Sequence, residues 1–273
     1  MDIVINSSCP SVPDCEDNAE IMGHFYSHVL TCLGYTKNAP PVADLLRRYH
    51  GLIGRWLVIS PIYWQATHND AMIMACYDTL SLSDTESKRW FAALAGFLAS
   101  DPVKLHYHDA YTWLIQFDNA PLIHADPVHL LFNQSIKKPL QKLDTTLFWS
   151  RFITENQMFF SDHILNKERA ALYPVNGVWI WGEGELDALG TRSIVCADDK
   201  TYALARLLSS QVSRLHPNQA LANNTLVLLS DFDHSLMNHF KNNTVRWVWN
   251  NRIYTTKKLS IWTRLFNQLF RGV

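Results

Sequence analysis

Residues 177–184 read Gly-Val-Trp-Ile-Trp-Gly-Glu-Gly. This octapeptide constrains the fold more than any other stretch of the chain. In an extended segment alternate side chains face opposite ways, so Trp179 and Trp181 share one face and Val178 and Ile180 the other. Both faces are apolar, and a strand of that kind is stable only inside a sheet covered on both sides. Gly182 and Gly184 then let the backbone turn sharply and approach another group closely, and amides exposed there can form an anion-binding nest. The chain has only 10 glycines in 273 residues, so three within eight residues mark this turn out.

Other segments fill in an α/β pattern. Apolar runs at Trp56–Ile59, Ala71–Cys76, Ser193–Cys196, Leu226–Leu229, Val245–Trp249 and Ile253–Thr256 predict strands. Val103–Tyr107 and Tyr111–Phe117 alternate as a strand pair around His108-Asp109-Ala110. Helical spacing predicts helices over about 18–33, after Pro40-Pro41 through Tyr49, from Asp84 through Leu98, over about 144–171 and over 198–215. Strands separated by helices imply an α/β fold, a mixed sheet flanked by helices. Residues 1–17, rich in Ser, Pro and acids, read as a loose acidic leader. Residues 18–273 read as one mixed unit, with a soft boundary near 133–143 between two lobes.

Hydrophobic residues make up 48% of the chain and charged residues 18%, which excludes general disorder. Charge is near balance, with 24 basic and 25 acidic residues, but unevenly spread. Residues 1–22 hold five acids and no Lys or Arg, whereas seven basic residues and no acid follow Asp233. Residues 258–273 place Ile261, Trp262, Leu265, Phe266, Leu269 and Phe270 in a stripe beside Lys258, Arg264 and Arg271. Such a helix packs on its own domain, lies on an anionic membrane surface or docks in a partner groove. Nucleic acid is not implied, because no recognition motif accompanies the basic end. No signal peptide and no spanning apolar run is evident, and five scattered cysteines read as reduced thiols, so the expectation is a cytoplasmic protein.

Motifs for a phosphate loop, a dinucleotide turn, a nucleophile elbow and zinc are missing. Two histidine clusters, His106-x-His108-Asp109 and His124-x-Asp126-x-x-His129, have donor types that suit a divalent metal. Asp233-His234, after the apolar strand Leu226–Leu229, lies where α/β folds build sites, or caps the next helix. No cofactor is implied beyond a possible divalent metal, with His124, Asp126, His129, Asp233 and His234 as its candidate ligands.

The segment Pro174-Val-Asn176-x-x-Trp179-x-Trp181-Gly182-x-Gly184 resembles the hallmark of bacterial RpfE-type proteins. Asp126-Pro-Val-His129-Leu130 resembles another segment of that family. Glu155-Asn156-Gln157-Met158, with His163, Asn166, Glu168 and Arg169, resembles the helix before the Trp motif. The turn is also similar to one in archaeal-type, cofactor-independent phosphoglycerate mutases of the alkaline-phosphatase-like superfamily. The resemblance implies a fold that is phosphoglycerate mutase-like in part, and chemistry in which two metals assist phosphoryl transfer. This chain lacks a matching Asp-Gly metal ligand near its start and a Ser or Thr nucleophile segment. The expected role is therefore binding or regulation at a ligand site around Asn176, Trp181, Gly182 and Gly184, bordered by Asp126, His129, Glu155 and Gln157. Its expected occupant is a small anionic ligand or a protein partner. The alternative is a metal-dependent mutase or phosphatase acting on a small phosphorylated substrate.

Overall fold

The computed structural model describes residues 1–11, 18–66, 70–216, 219–232, 240 and 243–257. The chain divides into two compact units, Met1–Gly34 with Asp187–Val273, and Tyr35–Leu186. Residues 133–143 lie inside the second.

The first unit is built on a seven-stranded sheet. Its strands are β1 (Asp2–Ile5), β2 (Ala19–Glu20), β8 (Ile194–Cys196), β9 (Val212–Arg214), β10 (Leu226–Leu229), β11 (Val245–Val248) and β12 (Arg252–Thr256). The spatial order is β2-β12-β11-β1-β10-β8-β9. β1 lies parallel between β10 and β11, with Ile3 opposite Val227 on one side and Trp247 on the other. Residues 2–5 are thus the middle of a sheet, where the sequence suggests a loose leader. The reason is their apolar run, since Ile3, Val4 and Ile5 are wholly buried, and each such side chain contributes about 1.5–3 kcal/mol on leaving water. Ile3 and Ile5 join Val227, Leu229, Trp247, Trp249 and Tyr254 in one cluster.

Two helices of this unit are shorter than their apolar spacing predicts. α1 covers Phe25–Cys32 only, because Ala19 and Glu20 pair with β12 instead. α6 covers Asp199–Ala205. Asp198 caps it by accepting from the Thr201 amide at 2.9 Å. Beyond it, the Ser209 hydroxyl donates to Arg192 O at 2.6 Å, and residues 212–214 pair along β8.

The second unit carries β3 (Leu57–Ala66), β4 (Ala71–Cys76), β5 (Val103–Asp109), β6 (Thr112–Phe117) and β7 (Gly177–Trp181). The path runs β4-β3-β6-β5, with β7 against the other edge of β3. β3 continues past Ile59, the end of the apolar run that predicts it. Pro61 is opposite Val178 of β7, at the point where the other edge of β3 changes partner from β6 to β4. A missing backbone donor is tolerated at such a gap in the ladder. β7 is as buried as its two apolar faces require, with no exposure at Val178, Trp179, Ile180 or Trp181.

Helices α2 (Val42–Tyr49), α3 (Asp84–Phe97), α4 (Lys137–Lys142) and α5 (Phe148–Ser161) complete this unit. The helix expected over 144–171 is confined to α5 followed by a 3-10 turn at Ile164–Arg169. Asp144 sets its start by accepting from the amides of Thr146, Phe148 and Trp149, and Leu147 has φ of 63°. Among the described residues no helix is long and apolar enough to cross a membrane. The amphipathic stretch 258–273 lies outside the described residues, as do Asp233 and His234.

Candidate functional site

A cleft of the second unit, about 870 Å³, is bounded by α2, the turn after β7 and the segment that ends at Asp126. α2 starts after Pro40-Pro41 and buries Val42, Leu45 and Leu46 completely. Its other face carries Asp44, Arg47 and Arg48, spaced three and four residues apart and so adjacent on the helix surface. Asp44 Oδ1 meets Arg47 Nη2 at 2.6 Å and Asp44 Oδ2 meets Arg48 Nη2 at 2.8 Å.

The same clamp holds the glycine turn. The Leu186 amide donates to Asp44 Oδ2 at 3.0 Å, and Arg48 Nη2 donates to Leu186 O at 3.2 Å. One residue of α2, Ala43, donates its amide to Gly182 O at 3.1 Å. Gly182 has φ of 81° and Gly184 φ of 136°. A Cβ on Gly182 would stand 3.1 Å from Val58 Cγ2, and one on Gly184 3.2 Å from Pro41 Cβ. Both positive φ and close packing therefore demand glycine here.

The third wall, 120–126, has no helix or strand but is fixed by polar contacts. Arg55 donates to Ala120 O at 2.8 Å and to Pro121 O at 2.9 Å. Glu183 pairs with Arg55 at 2.6 Å and accepts from the Ile123 amide. The His124 amide donates to Leu143 O at 2.8 Å, and the Trp179 indole donates to Asp126 O at 2.9 Å.

Burial opposes charge on Asp44, but the Leu186 amide and the two guanidinium groups outweigh it and hold the carboxyl below its ordinary range. Arg48 spends only Nη2 on these contacts. Among the described residues its Nε and Nη1 hydrogens have no protein acceptor, and its side chain is 36% exposed. That leaves a guanidinium edge available to an anion.

The sequence-predicted site residues separate into three groups. Gly184, Asp126 and His124 line this cleft. Glu155 lines a different cavity. Asn176, Trp181, His129 and Gln157 border neither. Trp181 is buried with its indole donating to Ser60 Oγ at 3.0 Å, and Gln157 donates to Ser161 Oγ at 2.8 Å. His129 is buried, with its ring 6.1 Å from that of Trp181 and 6.3 Å from that of Tyr77. Gly182 supports the turn from behind. Of the other histidine cluster, His108 lies 2.8 Å from His50, and the His50 and His106 ring centroids are 4.3 Å apart with the rings tilted at 57°. Among the described residues no group of three His, Cys, Asp or Glu side chains is placed to hold a metal ion.

Sequence reading missed Asp44, Arg47, Arg48, Arg55 and Glu183. The Asp-x-x-Arg-Arg spacing on α2 was a usable signal. Arg55 and Glu183 carried none, since only the fold brings them together.

No protein-family model matches the chain, and no curated protein matches it. Among solved structures the chain is similar to the cofactor-independent phosphoglycerate mutase from Thermoplasma acidophilum DSM 1728, with a TM-score of 0.36 and 11% identity. That match covers 95% of this chain and 90% of the mutase. The similarity is distant and gives no residue a role.

Proposed function

We propose that this chain is an RpfE-type, phosphoglycerate mutase-like binding protein with a regulatory role, taking a small anionic, phosphorylated metabolite in the cleft beside the glycine turn. One observation carries the reading: the family-like turn at Gly184 and the unsatisfied edge of Arg48 share one cleft. The walls also hold Asp126, Glu183 and Glu185, so net charge does not recruit the ligand. Directional guanidinium donors do so instead, and a planar or tetrahedral oxyanion matches them.

Calorimetric titration with 3-phosphoglycerate and with inorganic phosphate tests the reading. Saturable binding is expected, weakened at least tenfold in Arg48→Ala, equivalent to about 1.4 kcal/mol. No binding, or binding indifferent to that change, overturns it.

His124 and Asp126 border the same cleft and support a second reading, metal-dependent phosphoryl transfer. Turnover of a phosphorylated substrate in manganese, lost in both His124→Ala and Asp126→Ala, would favour that reading over binding alone.

A further inference from the structure

A second cavity of the Tyr35–Leu186 unit, about 540 Å³, lies between the end of α3, the β5 and β6 termini and α5, and shares no lining residue with the cleft above. That volume falls within the range of about 300–1,000 Å³ typical of small-molecule sites. Its walls combine three kinds of group.

The first is aromatic. Phe97, Phe117, Phe148 and Phe152 line the cavity. Phe117 stands edge-on to Phe148 at 5.6 Å and to Phe152 at 5.1 Å. Aromatic faces carry negative potential and attract cations.

The second kind is acidic. Asp101, Asp118 and Glu155 contribute carboxylates, against Arg151 as the one basic residue of the lining. Asp101 and Glu155, like Asp118, are exposed, and none of the three has an ion pair or side-chain hydrogen bond among the described residues. Their charge is therefore not already neutralised by the protein.

The third kind is a buried acceptor. Asn156 lines the cavity and is wholly buried. Its Nδ2 donates to Phe152 O at 2.7 Å, while its Oδ1 has no donor. An unsatisfied buried acceptor is uncommon and costs about 1–3 kcal/mol unless a ligand or water supplies the missing hydrogen.

These groups agree on one ligand chemistry. A neutral apolar molecule would use the phenylalanines and leave the carboxylates and Asn156 idle. An anion would face three like charges. We infer that this cavity binds a small organic cation, an ammonium group on an aromatic or apolar body, with the ammonium toward the carboxylates and a hydrogen available to Asn156. This assignment is independent of the cleft reading.

Titration of the full chain with 2-phenylethylammonium, followed by NMR shifts, tests it, with 2-phenylethanol and phenylacetate as controls. The ammonium compound is expected to saturate with a Kd of about 1 mM or below and to bind at least tenfold more tightly than the alcohol. The exposed triple change D101N/D118N/E155Q is expected to reduce that affinity at least tenfold without lowering Tm. No saturation by about 10 mM, equal affinity for the alcohol, tighter binding of phenylacetate, or unchanged affinity in the triple variant overturns the inference.

Discussion

Asn176 is bonded in both directions to the backbone of Trp64. Its Nδ2 donates to Trp64 O at 2.7 Å, and its Oδ1 accepts from Trp64 N at 2.9 Å. The register of β3 against β4 shifts between Tyr63 and Trp64, so the side chain supplies partners where the ladder is irregular.

Removing that side chain leaves two backbone groups without partners. Asn176→Ala is expected to lose about 2–3 kcal/mol in urea unfolding, with phosphate affinity of the folded protein within twofold of the parent. A stable variant that no longer binds would instead place Asn176 at the ligand.

Asp44 makes a pH-dependent contribution. Its folded carboxyl titrates below the unfolded value of about 3.9, so its stabilisation is present above that pH and disappears as pH falls through the folded value. Asp44→Asn is expected to be less stable by about 2 kcal/mol at pH 7. The gap between variant and parent should close below about pH 4, and unfolding curves at pH 7, 5 and 3 would reveal it. A gap independent of pH contradicts the assignment.

Two glycines separate backbone strain from crowding. Gly51 has φ of 66° with open space where a Cβ would go, whereas Gly182 has φ of 81° and a Cβ would meet Val58 Cγ2 at 3.1 Å. Gly51→Ala is expected to cost about 1 kcal/mol, and Gly182→Ala about 2–4 kcal/mol. Thermal melts rank the pair, and the reverse order would show that the β7 turn yields more readily than its packing indicates.

Arg169 is a buried bolt. Its side chain is 1% exposed and reaches Glu86 at 2.5 Å, Leu80 O, and Tyr173 O at 2.8 Å. Arg169→Ala is expected to destabilise the protein by about 3–5 kcal/mol, through the Glu86 charge and two carbonyls left without it. Lysine should restore little, since one ammonium cannot span three acceptors. Denaturant midpoints of the two variants provide the check.

Much of the fold was legible because burial writes itself into pattern. β7, with two apolar faces, could only be interior, and Val42–Tyr49 repeats its apolar positions at helical spacing. The misreadings have local causes. The strand predicted over Trp56–Ile59 is longer in the structure because the sequence does not show where β3 changes neighbours. Residues 2–5 are too few to show periodicity, and the polar stretch behind them obscured their apolar run. At the site, Gly184 stood out by scarcity and His124 and Asp126 by spacing. Arg55 and Glu183 are far apart in sequence and ordinary in type, so only tertiary structure joins them. Asn176 and Trp181 were conspicuous for a structural reason: they hold β3 and β7 together.

The middle position of β1 also bears on how the protein folds. Ile3 needs Val227 and Trp247 beside it, so β1 enters its sheet only when segments roughly two hundred residues away along the chain come back to it, a long loop to close. Tyr35–Leu186 is continuous and meets no such delay. The contact order of the two units therefore differs, and the sheet that buries Ile3, Val4 and Ile5 is expected to close later than the continuous unit.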